Sequence, residues 1–369
     1  MPALNSSSTA GKSKKPALRR GLLRGLRRGF RRGFTLGGAL LLWVITVVVA
    51  CGFGAVPLTP LQIATMLAKM VGLPVDASAW PPTYELIFLQ IRLPRVILGS
   101  LVGAALALSG AAFQGLLRNP LAGPYVLGIS GGASLGAVLA MALGLGSLAT
   151  GLSTVPVMAF LGALGTLILI MALGSSQGRL PTTTLILAGV AVGSFFSSVV
   201  SIIVLFSDER MGSILFWLMG GLSGAGWSTV VNMTLYMLPA ALVLFWHARN
   251  LNAMAFGDEA AGHLGVEVEK VKKWLLVAAS LLAAAAVSSS GVISFVGLIV
   301  PHVVRMIKGP DHRGLLPLSM VLGAVFLVAC DTVARTVMAP QELPVGAVTA
   351  LCGAPFFVHL LRRHKTRPF

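Results

Sequence analysis

Residues 93–115 read LPRVILGSLVGAALALSGAAFQG, and beyond Arg95 no charged side chain appears until Arg118. A helix rises about 1.5 Å per residue, so such a run covers roughly the 30 Å of a bilayer's hydrocarbon core. Working outward, comparable apolar runs recur at about 36–56, 125–144, 154–174, 183–206, 229–247, 274–291, 293–307, 315–336 and 345–361. The chain is 56% hydrophobic and only 11% charged, with a mean hydropathy of +0.89, outside the range of ordinary soluble domains. Nothing of useful size remains between the runs for a soluble domain. The expected fold is all-α and polytopic, with about ten transmembrane helices.

The net charge is +17, and ten of the 28 Lys and Arg residues precede residue 33. Basic chains often bind nucleic acid, but most of the remaining cations here sit at the ends of apolar runs, where cytoplasmic anchors lie. An even number of spans puts both termini on one side. With the termini inside, 23 of the 28 cations are inside, and only Lys69, Arg92, Arg95, Arg210 and Arg335 are outside. Moving the frame by one span destroys this asymmetry. Residues 1–35 read as a basic, disordered cytoplasmic extension, 36–362 as the membrane domain and 363–369 as a basic cytoplasmic tail.

The connections are uneven. Residues 57–92 carry Pro57, Pro60, Pro74, Pro81 and Pro82, so they cannot form one continuous helix. Asp208 to Trp227, with Trp217 and several glycines, suits a short helix at the headgroup level. The longest inside segment, about 248–273, is far longer than a hairpin requires, which points to a docking surface. Gly99, Gly103, Gly110 and Gly115, then Gly128, Gly131, Gly132 and Gly136, are spaced so that helix backbones approach closely. Cys51, Cys330 and Cys352 lie within or beside apolar runs without metal-ligand spacing, and the six histidines form no His-Glu-x-x-His or similar site. No cofactor or metal centre is implied. The chain also lacks a Gly-x-x-x-x-Gly-Lys-[Ser/Thr] phosphate loop.

Several motifs in order resemble one family. They are Arg92-Leu93-Pro94-Arg95; Ser109-Gly110-Ala111-Ala112-Phe113-Gln114-Gly115 leading to Arg118-Asn119-Pro120-Leu121-Ala122; Leu127-Gly128-Ile129-Ser130-Gly131-Gly132-Ala133; the run Gly291 to His302; and Glu342-Leu343-Pro344-Val345-Gly346. Together they resemble the permeases that import iron siderophores, haem and vitamin B12, over about residues 40–362. The resemblance implies a BtuC-like type II ABC importer fold and a homodimer or pseudo-dimer with the path at the subunit interface. It also implies two cytoplasmic ATPase subunits, a periplasmic substrate-binding protein and a metal-chelate cargo.

Within that frame, Gly257, Asp258, Glu259, Ala260, Ala261 and Gly265 resemble the Glu-Ala-Ala-x-x-x-Gly signature that couples permeases to their ATPase. The residues agree with it: two acids favour the start of a short helix, the alanines give a smooth surface and Gly265 ends it. By resemblance, Asn119, Leu121, Thr182 and Thr183 close the cytoplasmic mouth, although Asn119-Pro120 also reads as an ordinary turn. Arg92, Arg95 and Arg335 match arginines that meet acidic groups of the binding protein; the alternative is that they anchor helix ends at the membrane surface. Asp331 and Arg335 are four apart and pair on one helix face, either as a functional charge pair or as a pair reaching for the interface. An ion-gradient-driven secondary transporter is the main rival reading, but it calls for ionisable residues at mid-membrane, and the middles of these spans nearly lack them.

Overall fold

The computed structural model describes residues 36–365 apart from 55, 75–79, 148–152 and 177. The proposed extension and the end of the basic tail lie outside the described residues. A helix stands at each of the ten expected spans: α1 (Leu36–Gly52), α3 (Pro82–Leu116), α4 (Ile129–Ala142), α5 (Thr154–Gly174), α6 (Thr182–Leu205), α8 (Trp227–Trp246), α11 (Val268–Ser290), α12 (Val296–Lys308), α13 (His312–Thr336) and α14 (Val345–Lys365). Shorter helices fill the connections: α2 (Pro60–Met70), α7 (Met211–Leu218), α9 (Ala248–Met254) and α10 (Asp258–His263). Six of these helices (α3, α5, α6, α8, α11 and α13) are long and apolar enough to cross a membrane on their own. The described residues contain no strand, only two isolated bridges.

The second span begins at Pro82 rather than at residue 93. Pro94 has no N–H to give the preceding turn, which ordinarily kinks or ends a helix. Here the turn before it, Ile87–Arg92, is a π-helix, and in that i−5 pattern the carbonyl Pro94 leaves unpaired belongs to Leu89. The Trp227 indole N–H donates to that oxygen at 2.9 Å. The helix therefore runs through the proline with that carbonyl paired.

Helix α3 is the central post, and 89% of its most apolar window is buried within the chain. Its glycines explain how. A Cβ on Gly110 would overlap the Gly297 carbonyl of α12, and one on Gly103 would overlap the Gly323 carbonyl of α13. With no hydrophobic drive between helices in lipid, such close backbone approach is what gains dispersion energy. By contrast only 17% of the corresponding window of α6 is buried, and Leu187, Val190, Phe195 and Ile202 are exposed on it.

The chain between α11 and α12 is non-helical. Gly291 and Phe295 both take positive φ, 66° and 68°, and the Gly221 N–H donates to the Ser290 carbonyl at 2.8 Å. Irregular backbone at membrane depth is tolerated when protein supplies its partners, and Gly221 supplies one at the end of α11.

Candidate functional site

The two ends of α3 carry different chemistry. From Arg95 to Leu116 the helix rises about 32 Å at 1.5 Å per residue, close to a hydrocarbon core. One end therefore holds Arg92 and Arg95, and the other opens onto Arg118.

At the Arg118 end, the segment 248–273 is not an extended polar loop. It folds as α9 and α10 before α11 begins at Val268. The backbone of Gly257 takes φ +109° immediately before α10, and that of Gly265 takes φ +83° just after it, both in the region open to glycine. Ala261 is fully buried and seats the helix, while Glu259 points outward and Phe256 and Leu264 are largely exposed beside it. Gly257 and Gly265 thus bracket a short helix whose first turn carries Asp258 and Glu259 and whose Ala260 and Ala261 follow them, at one end of the bundle.

Asp258 ties this helix inward. Its Oδ2 lies 2.6 Å from Lys272 Nζ, and its Oδ1 lies 3.8 Å from Arg118 Nη2. Lys272 is buried, 3% exposed, and also reaches Glu269 Oε1 at 3.4 Å and the Leu180 carbonyl at 3.4 Å. The Leu180 N–H in turn donates to Glu269 Oε2 at 2.8 Å. Leu180 directly precedes Pro181 and Thr182, the first residue of α6. On the other connection, Arg118 adopts φ +49°, and Asn119 Oδ1 accepts the Leu121 N–H at 2.9 Å in a tight turn. Leu116, Leu117, Leu180, Thr182, Leu185, Lys272 and Leu276 line one narrow cleft. The structure therefore gathers the turn at Asn119 and Leu121, the start of α6 at Thr182 and Thr183, and helix α10 at the same end. Sequence reading counted Lys272 only as a cation near a membrane face, met Arg118 as a cation and a motif residue without a partner, and did not single out Glu269. The i,i+3 spacing of Glu269 and Lys272 was the one local signal.

At the opposite end the three arginines are held within the chain. Arg92, Arg95 and Arg335 do not face outward; they are 5%, 9% and 8% exposed. Arg95 Nε donates to Asp331 Oδ1 and Oδ2 at 3.1 and 3.2 Å, its Nη2 to Oδ1 at 2.9 Å, and its Nη1 to Glu342 Oε1 at 2.8 Å. Arg335 donates to the Phe53 carbonyl at 2.9 Å and to the Ala50 carbonyl, with Asp331 Oδ2 3.4 Å from its Nε. Arg92 donates to the Cys51 carbonyl at 3.0 Å and to that of Val56. The physical reason is the end of α1, whose last carbonyls have no helical partner; two guanidinium groups cap them and complement the negative end of the helix dipole. The Asp331–Arg335 pair is thus buried rather than reaching for the interface, and Asp331 also serves Arg95.

Long apolar helices packed through glycine contacts, with charge confined to the two ends, define a polytopic helical membrane protein. Residues 41–363 match the model of the FecCD transport family, and the chain belongs to that family. It is 46% identical over 287 residues to the cobalamin import system permease protein BtuC of Halobacterium salinarum, covering 78% of this chain and 76% of that one. It is 44% identical over 282 residues to the hemin transport system permease protein HmuU of Yersinia pestis, covering 76% and 84%. Among solved structures it resembles one described as an inward-facing conformation of a metal-chelate type ABC transporter, with a TM-score of 0.77 and 32% identity, over 89% of this chain and 98% of that one.

Proposed function

We propose that this chain is the membrane-spanning permease subunit of an ATP-binding cassette importer that moves a metal chelate, such as a ferric siderophore, haem or cobalamin, from periplasm to cytoplasm. The observation that carries the reading is helix α10: a six-residue helix with acids in its first turn, seated by Ala261 and presenting Glu259 outward. A partner groove can hold such a helix and move it as a unit. Two separate ATPase subunits supply the energy at that end, and hydrolysis is theirs rather than this chain's.

The subunit sits in the inner (plasma) membrane with both termini cytoplasmic, in keeping with 23 of 28 cations falling on one side of the ten-span topology. A second copy covers the exposed flank of α6 and completes the path. Asn119, Leu121, Thr182 and Thr183 close its cytoplasmic mouth. A periplasmic substrate-binding protein docks at the arginine end, where Arg92, Arg95 and Arg335 hold the surface in shape from beneath.

Replacing Glu259 and Gly265 with Ala and Val tests the coupling role. The variant is expected to insert and fold, since Glu259 is exposed, a side chain on Gly265 meets nothing within 4 Å, and the strain that valine meets at φ +83° falls on the turn that ends α10. Transport per ATP hydrolysed in proteoliposomes should fall by about tenfold or more, on the scale of a lost coupling between sites. Coupled transport at the unmodified level in this double variant counts against the docking role of α10.

A further inference from the structure

Resting on that reading, we infer that the Asp258–Lys272 ion pair is the link that carries movement of α10 to the start of α6, with Lys272 as a positioning residue for the Thr182–Thr183 half of the gate. The case begins with burial. Lys272 is 3% exposed, and an ammonium out of water is strongly destabilising unless it is paired and hydrogen-bonded. Its three N–H donors meet three acceptors, one each on Asp258, Glu269 and Leu180, at 2.6, 3.4 and 3.4 Å.

The geometry leaves little slack. The Leu180 carbonyl is held by Lys272 and its N–H by Glu269, so both backbone groups of the residue before Pro181 are fixed to the first two turns of α11. Asp258 is the first residue of α10 and follows a glycine at φ +109°, a backbone suited to a hinge. Separating Asp258 from Lys272 removes the shortest contact of a buried ammonium and leaves it only the 3.4 Å contacts to Glu269 and Leu180, so the two groups travel together when α10 is displaced.

The other connection is held differently. Arg118 and Asp258 are 3.8 Å apart with side chains 44% and 39% exposed, a contact that water screens. The gate is therefore driven asymmetrically: Thr182 follows α10 tightly, and Leu121 does not.

Single cysteines at Thr182 and at Leu121, in a chain whose Cys51, Cys330 and Cys352 are replaced by Ala, provide the test. The complex with its copurifying ATPase is reconstituted in nanodiscs and labelled with a charged maleimide, without nucleotide and with Mg-ATP plus vanadate. With Lys272 intact, labelling at position 182 is expected to differ by about tenfold between states, the size of an ordinary coupling between sites. In Lys272→Met and in Asp258→Asn that difference should collapse, while the nucleotide response at position 121 persists. Lys272→Arg, which keeps the charge, should restore part of the response at 182.

Persistence of the full response at 182 in Lys272→Met overturns the inference while leaving the gate reading in place. If Lys272→Met does not assemble, Asp258→Asn at the half-exposed end of the pair decides on the same criterion. Labelling at 182 that ignores nucleotide with Lys272 intact overturns the gate reading itself, and the inference with it.

Discussion

Gly110→Val is expected to abolish the folded protein. Its side chain would overlap the carbonyl oxygen of Gly297, and that oxygen belongs to backbone, which has no rotamer by which to yield. Restoring carbon–oxygen contact distance requires α3 and α12 to part by more than about 1 Å, which forfeits dispersion along the whole crossing. Overpacking typically costs about 1–3 kcal/mol where side chains can move, and here the central post of the bundle must move instead. Detergent extraction followed by size-exclusion chromatography should recover little monodisperse protein. Gly165→Ala is the control: it lies inside α5 with nothing within 4 Å, so it should be tolerated, or even gain from the higher helix propensity of Ala. A monodisperse Gly110→Val protein with an unchanged melting temperature contradicts the packing assigned to α3.

Asp331→Asn is the second large effect. The Asp331 carboxylate is 2% exposed and is shared by Arg95 and Arg335, both buried. Removing one partner of a buried pair costs about 3–5 kcal/mol, because the charge left behind keeps its desolvation penalty. Two guanidinium groups then face each other across a neutral amide, and the cap on α1 loosens with them. The expected result is a melting temperature lowered well below that of the parent. Glu342→Gln removes the other carboxylate on Arg95, but its side chain is 39% exposed, and partly solvated pairs contribute about 0–1 kcal/mol. Equal destabilisation by the two substitutions contradicts the assignment of Asp331 as the centre of this cluster.

The helices were legible because hydrophobic length is a local property. Ten apolar runs gave ten helices, and their ends shifted mainly where the backbone found a partner elsewhere. The start of α3 is the clearest case. Pro81 and Pro82 read as breaks in the stretch before residue 93, and only the indole of Trp227, distant in sequence, reveals how the helix extends back through Pro94 to Pro82. The acidic helix at 258–263 was equally legible, since its glycines and acids are adjacent.

The charge pairs were not. Arg95 meets Asp331 across 236 residues, and nothing in one sequence distinguishes that arginine from one left for a partner. Only the i,i+4 relation of Asp331 and Arg335 could be seen, and it shows half of a cluster. Lys272 was hidden for a related reason. It stands among Lys270 and Lys273 at the start of a span, and only the folded chain separates the buried cation from its exposed neighbours.

The central claim is that ATP hydrolysed by a separate subunit drives a chelate through this chain. Proteoliposomes holding the chain, with or without its copurified ATPase subunit, are loaded with Mg-ATP or left empty. They are then offered a binding protein charged with radiolabelled ferric siderophore, hemin or cyanocobalamin. The account predicts accumulation of at least one of these cargoes, and only when both the ATPase subunit and Mg-ATP are present. Accumulation by the chain alone, driven by an imposed ion gradient and indifferent to the ATPase, contradicts it.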